Sequence, residues 1–135
     1  MSKRRHRARS GSSLVETLTG FFVLLPLALV AVDIATMMIT AQQNEQLAES
    51  AARAASTQGD QQSAKDAAED ALSEFQTTSV VTGTSVEDVD YSIPLGRVII
   101  TTTMNVRLPV PFPNFANQVL KATATQPIVS TPAPR

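Results

Sequence analysis

The sequence predicts an α+β fold: a long N-terminal transmembrane helix that continues into a stem, then a second amphipathic helix packed on a small antiparallel β-sheet. Three patterns carry this. A basic leader runs into a long apolar stretch, apolar residues then return at three- and four-residue spacing, and beyond Thr77 their period becomes two. With 135 residues the chain has room for one small domain besides a membrane segment. The elements divide it into a leader over 1–11, a membrane helix over 12–39, a helical stem over 40–58 and a small extracytoplasmic α+β domain over 60–135.

Residues 20–32 give thirteen positions without a charge, too few at about 1.5 Å each to cross roughly 30 Å of hydrocarbon. Leu14, Val15 and Leu18 extend the run upstream, and Ile34, Ala35, Met37, Met38 and Ile39 extend it downstream past Asp33, so the candidate span is 14–39. Glu16 and Asp33 then stand near opposite ends of the hydrocarbon, about 25 Å apart by helical rise. Asp33 reads as an interfacial acid facing headgroups, ahead of an intersubunit partner. Pro26 lies mid-span, where it removes one helical donor and crowds the carbonyl of Phe22, so a kink or local unwinding is expected. With Gly20 it would let the helix bend as it passes from lipid into a packed bundle, although an ordinary transmembrane proline accounts for it equally well. No Lys or Arg occurs from Ser10 to Ala52, and the basic residues before that stretch place the leader in the cytoplasm and the remainder outside.

Residues 40–58 continue as good helix formers without Pro, so the membrane helix runs on, with Gly59 as its stop. Small residues there, Ala41, Ala48, Ala51, Ala52, Ala54 and Ala55, allow close helix approach, as a packed stem would use. Asp60 can cap a second helix over 61–75, in which Ala64, Ala67, Ala68, Ala71, Leu72 and Phe75 form a narrow apolar stripe. Its other face, with Lys65, Asp66, Glu69, Asp70 and Glu74, is solvated.

In the last part Val98, Ile100, Thr102, Met104, Val106 and Leu108 alternate with more polar residues, as do Val89, Tyr91 and Ile93 before Pro94-Leu95-Gly96. That tripeptide supports a tight turn, which predicts an antiparallel hairpin of 86–93 with 97–108. Pro109, Pro111 and Pro113 then break pairing, a short helical turn is expected around 115–120, and 121–129 can add a further strand before the Thr131-Pro132-Ala133-Pro134-Arg135 tail frays. Five Phe and no Trp leave a thin core and a marginal domain.

The formal net charge of −1 hides an asymmetry, because Lys3, Arg4, Arg5, Arg7 and Arg9 are five of the eleven basic residues. Without them six positive charges face twelve negative ones, which argues against a nucleic-acid partner. There is no Cys, and the single His, His6, lies in the leader, so metal sites and catalytic triads lose their usual groups; neither an enzyme nor a cofactor is expected. Glu87, Asp88 and Asp90 form an acidic cluster too short for a calcium loop, with Asp88 and Asp90 on one solvent face. Phe112 and Phe115, flanked by prolines, read as a loop covering the sheet ahead of an exposed adhesive tip.

Gly11 separates the leader from the apolar run, and Glu16 stands five residues later as almost the only charge in it. A carboxylate in hydrocarbon costs roughly 2.5–3.5 kcal/mol on insertion scales and calls for a partner. Cleavage after Gly11 would create one, the new amino terminus of Ser12, on the same chain or on a neighbouring copy. A secretory signal would instead be cut after its apolar region at an A-x-A-like site, and the nearest match, Ala52-Arg53-Ala54, lies more than ten residues beyond.

The Gly, four residues, Glu arrangement resembles the processing site of type IV pilin-like precursors. The continuation, Val15-Glu16, then Phe21-Phe22-Val23-Leu24-Leu25-Pro26-Leu27 and Ala51-Ala52-Arg53-Ala54-Ala55, is similar to TadE-like pseudopilins of bacterial tight-adherence (Flp) pilus systems, with Thr17 where many members of the group carry Tyr or Phe. The resemblance implies a prepilin peptidase acting between Gly11 and Ser12, methylation of the Ser12 amine, other pilin subunits or pseudopilins and the inner-membrane assembly machinery as partners, and membrane lipid around the helix. It implies a pseudopilin or minor pilin in the bacterial inner membrane that contributes to assembly of a tight-adherence type pilus, as fibre subunit, tip or assembly primer. The alternative is an uncleaved, signal-anchored surface protein whose small domain binds a ligand or another protein.

Overall fold

The computed structural model describes residues 8–110 and 116–129, with side chains from Ser13 onward. Helix α1 (Ala8–Ser56) and helix α2 (Gln61–Ser73) precede three strands, β1 (Val81–Ser92), β2 (Arg97–Arg107) and β3 (Asn117–Pro127). The strands form one antiparallel sheet in the order β1-β2-β3. The architecture is the α+β one expected, with a long apolar N-terminal helix, a second helix and a small antiparallel sheet.

Helix α1 is continuous through Pro26, where a kink or local unwinding was expected, so the helix is not interrupted there. Its 49 residues make a rod of about 74 Å at 1.5 Å per residue. It ends at Ser56 rather than at Gly59, and Asp60 caps α2 with a carboxylate that accepts from the Ser63 N–H at 2.9 Å and from the Ser63 hydroxyl at 2.9 Å. Those two bonds favour the ionised carboxyl and hold Asp60 below its ordinary pKa. Helix α2 stops at Ser73, and Phe75 closes a turn by donating its N–H to the Leu72 carbonyl.

One face of the sheet carries both helices. Helix α1 packs on β2 and β3 while α2 packs on β1 and on α1. The segment expected as a stem is therefore core: Ala48, Ala51, Ala52 and Ala55 are buried against Ala64, Ala68 and Leu72 of α2 and against Val89, Val98, Ile100, Ala122 and Ala124 of the sheet. Alanine lets backbones approach to the short end of the 8–10 Å range for packed helices. Toward the end where the exposed part of α1 leaves the domain, a bulkier cluster of Val81, Met104, Val106 and Leu108 packs with Met37, Leu47, Phe75 and Leu120.

The hairpin turn lies where it was expected, with Gly96 at φ +61 donating its N–H to the Ile93 carbonyl at 3.0 Å. Strand β1 starts five residues earlier than the alternation predicts, at Val81, because register shifts at Val81/Gly83 and Val86/Asp88 interrupt the period of two. The helical turn expected around 115–120 is overturned: Asn117 to Leu120 are already paired with β2, and Leu108 N–H meets the Ala116 carbonyl at 2.9 Å. A central strand leaves a row of backbone groups on each side to be satisfied, and this stretch satisfies one row of β2. Pro111, Pro113, Phe112, Phe115 and the tail from Thr131, with Lys3, Arg4, Arg5, His6 and Arg7 of the leader, lie outside the described residues.

Candidate membrane and assembly segment

From Ser13 to Val32 every side chain of α1 is exposed, Leu14 and Phe22 by 73% each. Twelve large apolar side chains stand out in that stretch. Burying each from water is worth about 1.5–3 kcal/mol, so together roughly 20 kcal/mol or more is at stake, beyond the 5–15 kcal/mol that holds a whole domain folded. At about 1.5 Å per residue these twenty positions reach roughly 30 Å, the thickness of a hydrocarbon core. One helix among the described residues is thus long and apolar enough to cross a membrane.

Three threonine hydroxyls in and just beyond this part of the rod are satisfied within the helix. The hydroxyls of Thr17, Thr19 and Thr36 donate to the carbonyls of Ser13, Val15 and Val32, four residues back, at 2.8–2.9 Å. A hydroxyl spent in this way makes no demand on water, which suits a helix surrounded by hydrocarbon.

Glu16 is exposed and makes no hydrogen bond or ion pair among the described residues. Gly11 and Ser12 lie in the helical backbone, so Ser12 and Glu16 are one turn apart, about 6 Å along the axis. The fold thus places these two on the protruding end, far from the sheet, with Pro26 between them and the domain.

Asp33 does not face headgroups. It is buried to 6% exposure, and its Oδ1 accepts the Val110 N–H at 3.1 Å, tying the β2–β3 connection to α1 where the helix leaves the domain. Its Oδ2 is buried without a hydrogen bond among the described residues. About three helical turns further along α1, Asn44 is buried to 1% exposure, donates Nδ2 to the Leu120 carbonyl at 3.1 Å and accepts the Thr102 hydroxyl on Oδ1 at 2.9 Å. Neither role was legible as such. The signal was there in the spacing of Asp33, Met37, Thr40, Asn44, Ala48, Ala51 and Ala55, one helix face whose polar members disguise it.

Strand alternation does place Asp88 and Asp90 on the solvent face, while Glu87 is the extra residue at the second register shift and pairs with Lys121. Among the described residues no three His, Cys, Asp or Glu side chains converge on a metal position. No protein-family model matches the chain, and neither a curated relative nor a solved structure does.

Proposed function

We propose that this chain is a pseudopilin or minor pilin of a tight-adherence type pilus, cut by a prepilin peptidase between Gly11 and Ser12 and held in the bacterial inner membrane by the exposed half of α1. The leader is cytoplasmic and the α+β domain extracytoplasmic. The observation that carries the reading is the division of α1: residues 13–32 are all exposed, yet they continue without a break into the helix at the core of the domain. Such a rod can pass from lipid into a bundle of like helices while the domain stays folded, because nothing in the domain depends on it.

Glu16 is the group that makes the bundle selective. Its charge costs roughly 2.5–3.5 kcal/mol in hydrocarbon and has no partner on its own side chains, whereas the Ser12 ammonium of a processed neighbour would neutralise it. Glu16→Leu should therefore insert, be cleaved and fold, but no longer co-purify with other pilins or reach surface fibres. Intact-mass and N-terminal analysis of the membrane-extracted protein reads the processing step directly. Unprocessed chain from cells that contain the peptidase would overturn the reading in favour of an uncleaved surface anchor, and normal assembly of the Glu16→Leu protein would remove the role given to the charge.

A further inference from the structure

The two edges of the sheet are built differently. Strand β1 carries two register shifts and the acidic residues Glu87, Asp88 and Asp90, devices that blunt an edge against pairing. Strand β3 pairs with β2 through eleven successive partners without a shift, and its only Pro is Pro127 at the far end. Its lysine, the usual guard of an open edge, is turned away: Lys121 reaches across the outer face to Glu87.

Along this edge runs an open groove of about 470 Å³. One wall is residues 121–126 and the other is Glu45 and Glu49 of α1. Successive side chains of a strand point to opposite faces, so a groove that touches six residues in a row follows the backbone edge itself. Both ends are closed. The Leu120 carbonyl is taken by Asn44, and past the strand Ile128 N–H is bonded to the Gly96 carbonyl at 2.9 Å and Val129 N–H to the Ser56 carbonyl at 3.0 Å. The same contacts show that α1 and β3 advance in one direction, from Asn44 beside Leu120 to Ser56 beside Val129.

We propose that this window receives an extended segment of another protein, which adds to β3 as a fourth strand and presents Lys or Arg at positions i and i+2 to Glu45 and Glu49. Backbone hydrogen bonds supply the general affinity and the two carboxylates the selectivity. The spacing fits: residues four apart on a helix are separated by about 6 Å along the axis, and residues two apart on a strand by roughly 6.6 Å. Two copies of this chain paired antiparallel through β3 about a twofold axis perpendicular to the sheet would bring their own glutamates to the same face, so the chemistry favours a different, basic strand. Glu45 makes no ion pair among the described residues, while Glu49 lies 3.5 Å from Arg53, both more than half exposed. Glu45 is consequently the stronger determinant.

The inference does not rest on the pilus reading. Its test uses the full chain in detergent micelles and two synthetic probes, acetyl-Val-Lys-Thr-Lys-Thr-Val-amide and the same peptide with Glu in place of both Lys, followed by residue-resolved amide hydrogen exchange. The lysine peptide should slow exchange within residues 121–126 and not within β1, should lose affinity as salt is raised, and should bind the exposed, fold-neutral variant Glu45→Gln roughly two- to fivefold more weakly, with a smaller effect from Glu49→Gln. No protection by the lysine peptide at millimolar concentration, equal protection by the glutamate peptide, protection of β1 instead, or affinity unchanged in both Gln variants would each overturn the assignment.

Discussion

The two halves of α1 are one helix in two environments. Residues 13–32 are rich in Leu, Phe and Val and are bare on every side, whereas from Asp33 to Ser56 a stripe dominated by Ala, Thr and Asn disappears into the domain. The more apolar half is the exposed one. A core that must bring a helix close to a sheet and to a second helix selects small side chains for volume and accepts polar ones that are hydrogen-bonded, while a segment clothed by another medium is free to be greasy all round. Apolar content therefore marks which part of the rod needs covering, and shape marks which part the domain itself covers.

The largest effect expected from that contrast is a matched pair of truncations. Met104→Ala removes a fully buried side chain from the bulkier cluster and should cost about 2–5 kcal/mol. Leu24→Ala, at a position 63% exposed, should leave the urea midpoint of the domain in detergent almost unchanged. Similar losses from both would mean that the exposed half contributes to the fold, and the division drawn through α1 would fail.

Within the packed half, Asn44→Leu asks whether the buried polar bridge matters or only its volume. It strands the Thr102 hydroxyl and the Leu120 carbonyl without Asn44, so a loss of about 1–3 kcal/mol is expected, read as a lower midpoint with an unchanged slope. Unchanged stability would reduce Asn44 to a space filler.

The smallest effect concerns the entry to α2. Hydrogen bonds from Ser63 lower the Asp60 pKa, so the cap contributes in full above the unfolded carboxyl value of about 3.9 and is lost as pH falls through the still lower folded value. Asp60→Asn keeps an acceptor at the cap but does not titrate. The acid-side decline of stability in that window should be shallower for the variant, and curves that superimpose would show that the Asp60 charge is not linked to folding.

Much of the fold could be read from local pattern. Period two located β2, the Pro94-Leu95-Gly96 turn located the hairpin, and Asp60 announced the start of α2, because turns and caps depend on residues close in the chain. The pattern failed where the signal was interrupted: two register shifts hid the first five residues of β1, and Asn117 to Leu120 took up strand pairing that only β2 offered. Of the candidate site, Glu16 and Pro26 were conspicuous by chemical type, whereas Asp33 and Asn44 needed a neighbour distant in sequence, Val110 for one and Thr102 with Leu120 for the other.

By itself the sequence determined that a helix long and apolar enough for a membrane comes first, that an isolated acid sits near its start, and that a second helix and alternating strands follow; each is a matter of composition or period along the chain. Only the tertiary structure decided that Ala48, Ala51, Ala52 and Ala55 are core, that Asp33 is a clasp on the β2–β3 connection, and that the β3 edge stays open beside Glu45 and Glu49. Those outcomes depend on which faces meet, and a helix face or a strand edge has no partner until the chain has folded back on itself.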